Sequence, residues 1–66
     1  MEILLNGEPR QVADGMTLAQ LVSELGLGER RVAVEINLEI VPRSQHSTCH
    51  LKSGDRVEVV AAIGGG

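Results

Sequence analysis

Only one stretch of this chain carries a helical period; its other apolar runs alternate or are too short to be anything but strands. Leu18, Leu21, Val22 and Leu25 fall at i, i+3, i+4 and i+7 and form a single apolar stripe. Thr17 and Gln20 stand at the capping-box spacing, where each side chain can satisfy an otherwise unpaired N–H of the other. Gly26 follows as a left-handed C-cap, and Leu27 can fold back onto the last turn. The sequence therefore predicts one helix over 17–25. A lone helix with one apolar face must lie on another layer, and the flanking runs can only supply a sheet.

Residues 2–6 read as the first strand, with Met1, Ile3 and Leu5 on one face and Leu4 on the other. Asn6-Gly7 is a hairpin signal, because both residues tolerate positive φ. Residues 9–13 return as a second strand, with Pro9 at its start and Val12 inward. Asp14-Gly15 is a turn. After the helix, Gly28 to Arg31 is a polar connection, and Glu29, Arg30 and Arg31 read as a solvated loop. Residues 32–36 alternate as a half-buried strand. Asn37 and Glu39 mark a turn around Leu38; glycine would be the usual choice there, so Leu38 is expected to be strained. Ile40-Val41 is a short strand ended by Pro42. Residues 43–49 form a short helical turn and loop, Leu51 plugs the core, and Ser53-Gly54-Asp55 turns into the last strand, 56–62. Val57, Val59 and Ala61 lie on one face of that strand, and Glu58, Val60 and Ala62 on the other.

This order packs as an α+β domain: a mixed sheet of four to five strands, with the helix across one face and the first and last strands parallel at the centre. That is the β-grasp (ubiquitin-like) arrangement. The predicted core is Ile3, Leu5, Val12, Leu18, Leu21, Val22, Leu25, Val34, Ile36, Leu51, Val57 and Val59. Residues 1–62 make the domain, and 63–66 a flexible glycine tail carried at the end of a central strand. A carboxylate on Gly66 is then a group presented for chemistry inside a partner, and Gly64 and Gly65 are the residues that thread. A glycine run packs no side chain and lets other backbone come close.

The chain has 66 residues, room for one small core and none for an enclosed catalytic pocket. A binding or carrier role is favoured over an enzyme. Phe, Tyr and Trp are absent, so there is no platform for stacking bases. The formal charge of −3 makes nucleic acid and anionic membrane poor partners and a basic protein surface a better one. One cysteine excludes an internal disulfide framework and suits a reducing compartment. No signal peptide or membrane span is visible, so the expected setting is the cytoplasm, with the chain a monomer on its own. His46, Cys49 and His50 share one loop, but three ligands at that spacing do not define a zinc site, and no third group orients a Cys–His pair. They read as ordinary loop residues, and no metal is expected. Leu4, Val60 and Ala62, with Ile63, group on the outer face beside the tail as a candidate partner surface.

Over essentially its whole length the sequence resembles the sulfur carrier proteins of thiamine biosynthesis, the ThiS family. The resemblance rests on the opening Met-Glu-Ile-Leu-Leu-Asn-Gly, the Thr-Leu-Ala-Gln-Leu-Val helix and the Val-Ala-Val-Glu-Ile-Asn strand. It also rests on Ile40-Val41-Pro42-Arg43-Ser44-Gln45, on Leu51-Lys52-Ser53-Gly54-Asp55-Arg56-Val57-Glu58 and on the closing Gly-Gly. It implies that an E1-like activating enzyme (ThiF-type) adenylates the carboxylate of Gly66 with ATP and Mg²⁺. It also implies that a sulfur donor such as a cysteine desulfurase or rhodanese converts the adenylate to a thiocarboxylate. A thiazole synthase (ThiG-type) then receives the sulfur for the thiazole ring of thiamine. The carrier binds no cofactor itself. Family members often carry an aromatic just before the glycines, where this chain has Ala61-Ala62.

Two other functions share the same tail logic. A ubiquitin-like modifier would join Gly66 to lysines of other proteins; Lys52 is the only lysine here, which disfavours self-linked chains. A sulfur carrier for another pathway, such as molybdopterin synthesis, would use the same chemistry but is typically longer. A regulatory β-grasp binding module would not use the tail at all.

Overall fold

The computed structural model describes residues 1–61. The expectations for Ala62, Ile63, Gly64, Gly65 and Gly66 lie outside the described residues.

Strands β1 (Glu2–Leu5) and β2 (Glu8–Gln11) pair antiparallel with Leu5 opposite Glu8, leaving a two-residue loop. Asn6 at φ 50 and Gly7 at φ 84 both lie in the left-handed region, the signature of a type I′ turn. The tight turn starts β2 one residue earlier than predicted, at Glu8. The ladder stops at Gln11, and Val12 and Ala13 lie beyond it. Val12 is still buried, and its N–H donates to the Met1 carbonyl at 2.8 Å. Pro9 sits inside β2, an edge strand, where a missing N–H is tolerated.

Helix α1 spans Leu18–Glu24, with Thr17 as its N-cap rather than its first residue. The capping box is complete: Gln20 N–H donates to Thr17 Oγ1 at 3.1 Å, and Thr17 N–H donates to Gln20 Oε1 at 2.9 Å. At the other end Leu25 is the C-cap and Gly26 turns left-handed at φ 76. The N–H of Leu27 reaches the Val22 carbonyl and that of Gly26 the Ser23 carbonyl, the two bonds of a Schellman motif.

Strands β3 (Val32–Ile36), β4 (Glu39–Ile40) and β5 (Arg56–Ala61) complete a five-stranded sheet in the order β2-β1-β5-β3-β4. β5 is central, parallel to β1 and antiparallel to β3. β4 begins at Glu39, one residue earlier than predicted, because Asn37 (φ 51) and Leu38 (φ 71) form a second tight left-handed turn that sets Ile36 opposite Glu39. The strain expected at Leu38 is thus present. A 3-10 turn, Arg43–Gln45, follows Pro42.

The core gathers Ile3, Val12, Met16, Leu18, Leu21, Val22, Val34, Leu51, Val57 and Val59 between helix and sheet. Leu5, Leu25 and Ile36, expected inside, are half-buried and pack against it. Met16 and His46 are buried and were not anticipated. Met16 precedes the N-cap and Leu21 is the fourth helical residue, the positions of a hydrophobic staple; that pattern was available in the sequence. The fold is the predicted β-grasp: one helix on one face of a mixed sheet.

Candidate functional site

The candidate site is the end of β5 and the sheet face turned away from the helix. Along β5, Val57 and Val59 point into the core, whereas Arg56, Glu58 and Val60 face outward, as the period of two requires. On its β3 side the strand is paired to its last described residue, with Val32 opposite Ala61. On its β1 side the ladder is short, with only Leu4 and Leu5 level with Arg56 and Val57. The Asn6 side chain continues it: Oδ1 accepts the Val59 N–H at 2.9 Å, and Nδ2 donates to the Val59 carbonyl at 3.3 Å. Because β1 runs parallel to β5, the Asn6-Gly7 turn lies towards the end of the sheet that holds Ala61. The segment entering β3, Arg30 and Arg31, lies at that end on the other side.

The outward positions form bands. Leu4 is level with Arg56, at the start of β5. Glu58 lies directly opposite Glu35, which in turn faces Ile40. Like charges placed so are mutually destabilising, and neither carboxylate has an ion-pair partner among the described residues. Val60 lies opposite Ala33, nearest the strand end. Val60 is 64% exposed and Leu4 half-buried. The two share the predicted face, but the Glu58 level separates them along the strand. Of the two, Val60 is the one near Ala61, the last described residue of β5.

The histidines and the cysteine are spread out. His46 is buried with Nε2 against the Val41 carbonyl at 3.0 Å, and its own carbonyl accepts the Ala19 N–H. His50 is exposed, with Nδ1 3.1 Å from the Gly15 carbonyl. Cys49 is half-buried and lines an open groove of about 540 Å³ beside Ile40, Thr48 and Lys52. No group of three or more His, Cys, Asp or Glu that could hold a metal occurs among the described residues. No helix among them is long and apolar enough to cross a membrane.

A mixed sheet with a central strand ending beside a clamped turn, crossed by one capped helix, defines a ubiquitin-like β-grasp domain. The sequence profile of the ThiS family matches residues 3–66. The chain belongs to the ThiS family. It is 41% identical to the sulfur carrier protein ThiS of Thermus thermophilus, over 97% of this chain and 98% of that one. The crystal structure of the thiamine biosynthesis protein (ThiS) from Geobacter metallireducens superposes with a TM-score of 0.84, at 33% identity and over all of both chains. A thiazole synthase of Paramagnetospirillum magneticum is 48% identical over all 66 residues, which span 20% of that protein's length.

Proposed function

We infer that this chain is a sulfur carrier, a protein co-substrate rather than an enzyme. The observation that carries this reading is a family match running through the closing glycines to residue 66. In this reading a carboxylate oxygen of Gly66 attacks the α-phosphorus of ATP on an E1-like activating enzyme, and pyrophosphate leaves. A carboxylate is a poor electrophile, and the acyl adenylate gives its carbon a good leaving group. The outer sulfur of a donor persulfide attacks the acyl carbon and AMP leaves, giving an acyl disulfide. A second thiol then attacks the donor-side sulfur, forming a disulfide with the donor and releasing the chain as a thiocarboxylate. The sulfur then passes to a thiazole synthase for the thiazole of thiamine. The identity to a thiazole synthase supports that acceptor, since in such proteins a domain like this one is part of the same chain. Activation consumes ATP, which supports a cytoplasmic setting.

The carrier's part is geometric. The partner must bring nucleotide, Mg²⁺ and the carboxylate into one reactive arrangement, and small misplacements are costly. The central position of β5, paired on one side and clamped by Asn6 on the other, supports such positioning, because it holds Ala61, the residue before the last five, in place.

The test is ATP–pyrophosphate exchange with the activating enzyme from the same cell, followed by intact mass. Carrier-dependent exchange and replacement of one oxygen by sulfur are expected. Absence of exchange would overturn the reading, and covalent adducts on lysines of other proteins would replace it with the modifier.

A further inference from the structure

In the sequence, Glu29, Arg30 and Arg31 read as a solvated loop. The tertiary structure puts that loop in a particular place. Val32 is the β3 partner of Ala61, so Arg31, one residue before it, enters the sheet beside the last described residue of β5. Both Arg30 and Arg31 are exposed, and neither makes an ion pair among the described residues. The loop is also held. Nη1 of Arg43 donates to the Arg30 carbonyl at 3.0 Å, and its Nη2 donates to the Gly28 carbonyl at 2.7 Å. Three arginines therefore meet at this loop, against one loop carboxylate, Glu29, in a chain whose net charge is −3.

We propose that Arg30 and Arg31 form a cationic collar around the departure point of β5, and that it docks on carboxylates at the rim of the partner channel that receives residues 62–66. This rests on the carrier reading above. Distance selects a protein rim over the nucleotide itself. From Ala61 to Gly66 is five steps of chain, roughly 17 Å when extended. With those residues extended in the partner, an arginine side chain beside Ala61 would fall well short of phosphates bound at Gly66. Charge selects acidic side chains: the collar is locally positive, whereas the outward face below it carries the opposed Glu35 and Glu58. A partner acidic at its channel rim and basic beyond it would meet both, which fixes orientation as well as attraction. Arg43 acts as a positioning residue, because its guanidinium is engaged by the two loop carbonyls.

The test compares two substitutions of equal charge change, Arg31→Glu in the collar and Arg10→Glu on the edge strand β2. The assay is carrier-dependent pyrophosphate exchange, with KM and kcat for the carrier measured at low and high salt. Arg31→Glu should raise KM about tenfold or more at low salt, with kcat within about twofold, and the difference should shrink at high salt as the charges are screened. Arg10→Glu should leave KM within about twofold. An unchanged KM in Arg31→Glu, with exchange intact, would overturn the collar and leave the carrier reading standing. An equal rise in Arg10→Glu would assign the effect to net charge and likewise overturn it. No exchange with the unsubstituted chain would overturn both.

Discussion

Asn6 and Val59 lie 53 positions apart in the chain, yet the Asn6 amide pairs with both backbone polar groups of Val59. A hairpin-turn residue thereby acts as one more rung of the parallel ladder, where β1 itself has already turned away. Its own N–H donates to the Val57 carbonyl at 2.8 Å, so three bonds join this residue to β5.

Asn6→Ala should therefore destabilise the domain by about 1–3 kcal/mol. It removes two part-buried hydrogen bonds and places a Cβ-bearing residue without local side-chain compensation at positive φ. Chemical denaturation measures the loss. Hydrogen exchange should show the Val59 amide opening faster than that of Val34 in the core. A variant as stable as the parent would mean that water replaces the clamp without cost.

Leu38→Gly should stabilise the protein. Leu38 is held at φ 71 and is 77% exposed, so it carries left-handed strain of roughly 1–2 kcal/mol with little burial in return. Glycine removes that strain but has more unfolded-state freedom to lose, roughly 0.5–1 kcal/mol. The net expectation is a gain of about 0.5–1 kcal/mol, read as a higher urea midpoint at unchanged slope. A lower midpoint would show that the Leu38 side chain stabilises the hairpin.

Val60→Asp should weaken binding to the activating enzyme or the synthase by about tenfold while leaving the fold intact. The residue is exposed in the isolated domain, and a charge there would be desolvated unpaired at a contact. Leu4→Asp should have a smaller effect, because Leu4 lies at the far end of the strand. Calorimetric titration separates the two. Equal losses would mean that the contact covers the whole outer face.

Deletion of Gly66 should nearly abolish pyrophosphate exchange without changing stability. Gly65 would then carry the carboxylate about 3.5 Å short of its required position, and a misplacement of even about 1 Å can cost ~100-fold in rate. Gly65→Ala keeps the carboxylate in register and should slow turnover only by crowding the channel. Exchange at the parental rate in the deletion variant would remove Gly66 from the chemistry.

The helix, its caps and both tight turns could be read from the sequence because each is set by residues within a few positions of one another. The stripe from Leu18 to Leu25, the Thr17–Gln20 box and the Asn6-Gly7 pair are local patterns with local causes. The alternation in residues 32–36 and 56–61 likewise reported which side of each strand is buried. Register between distant strands has no comparable local signal. It is fixed by how the whole core packs, and it alone placed Leu4 level with Arg56 rather than beside Val60. The same register carried the Asn6 amide to Val59 and set Arg31 beside the end of β5. His46, an ordinary loop residue by its neighbours in sequence, is buried because the 3-10 turn brings its imidazole to the Val41 carbonyl and its own carbonyl to Ala19. The sequence thus determined which elements form and which faces are apolar. The tertiary structure decided which charged and polar groups meet at the Ala61 end of β5, because those meetings depend on pairings between residues far apart in the chain.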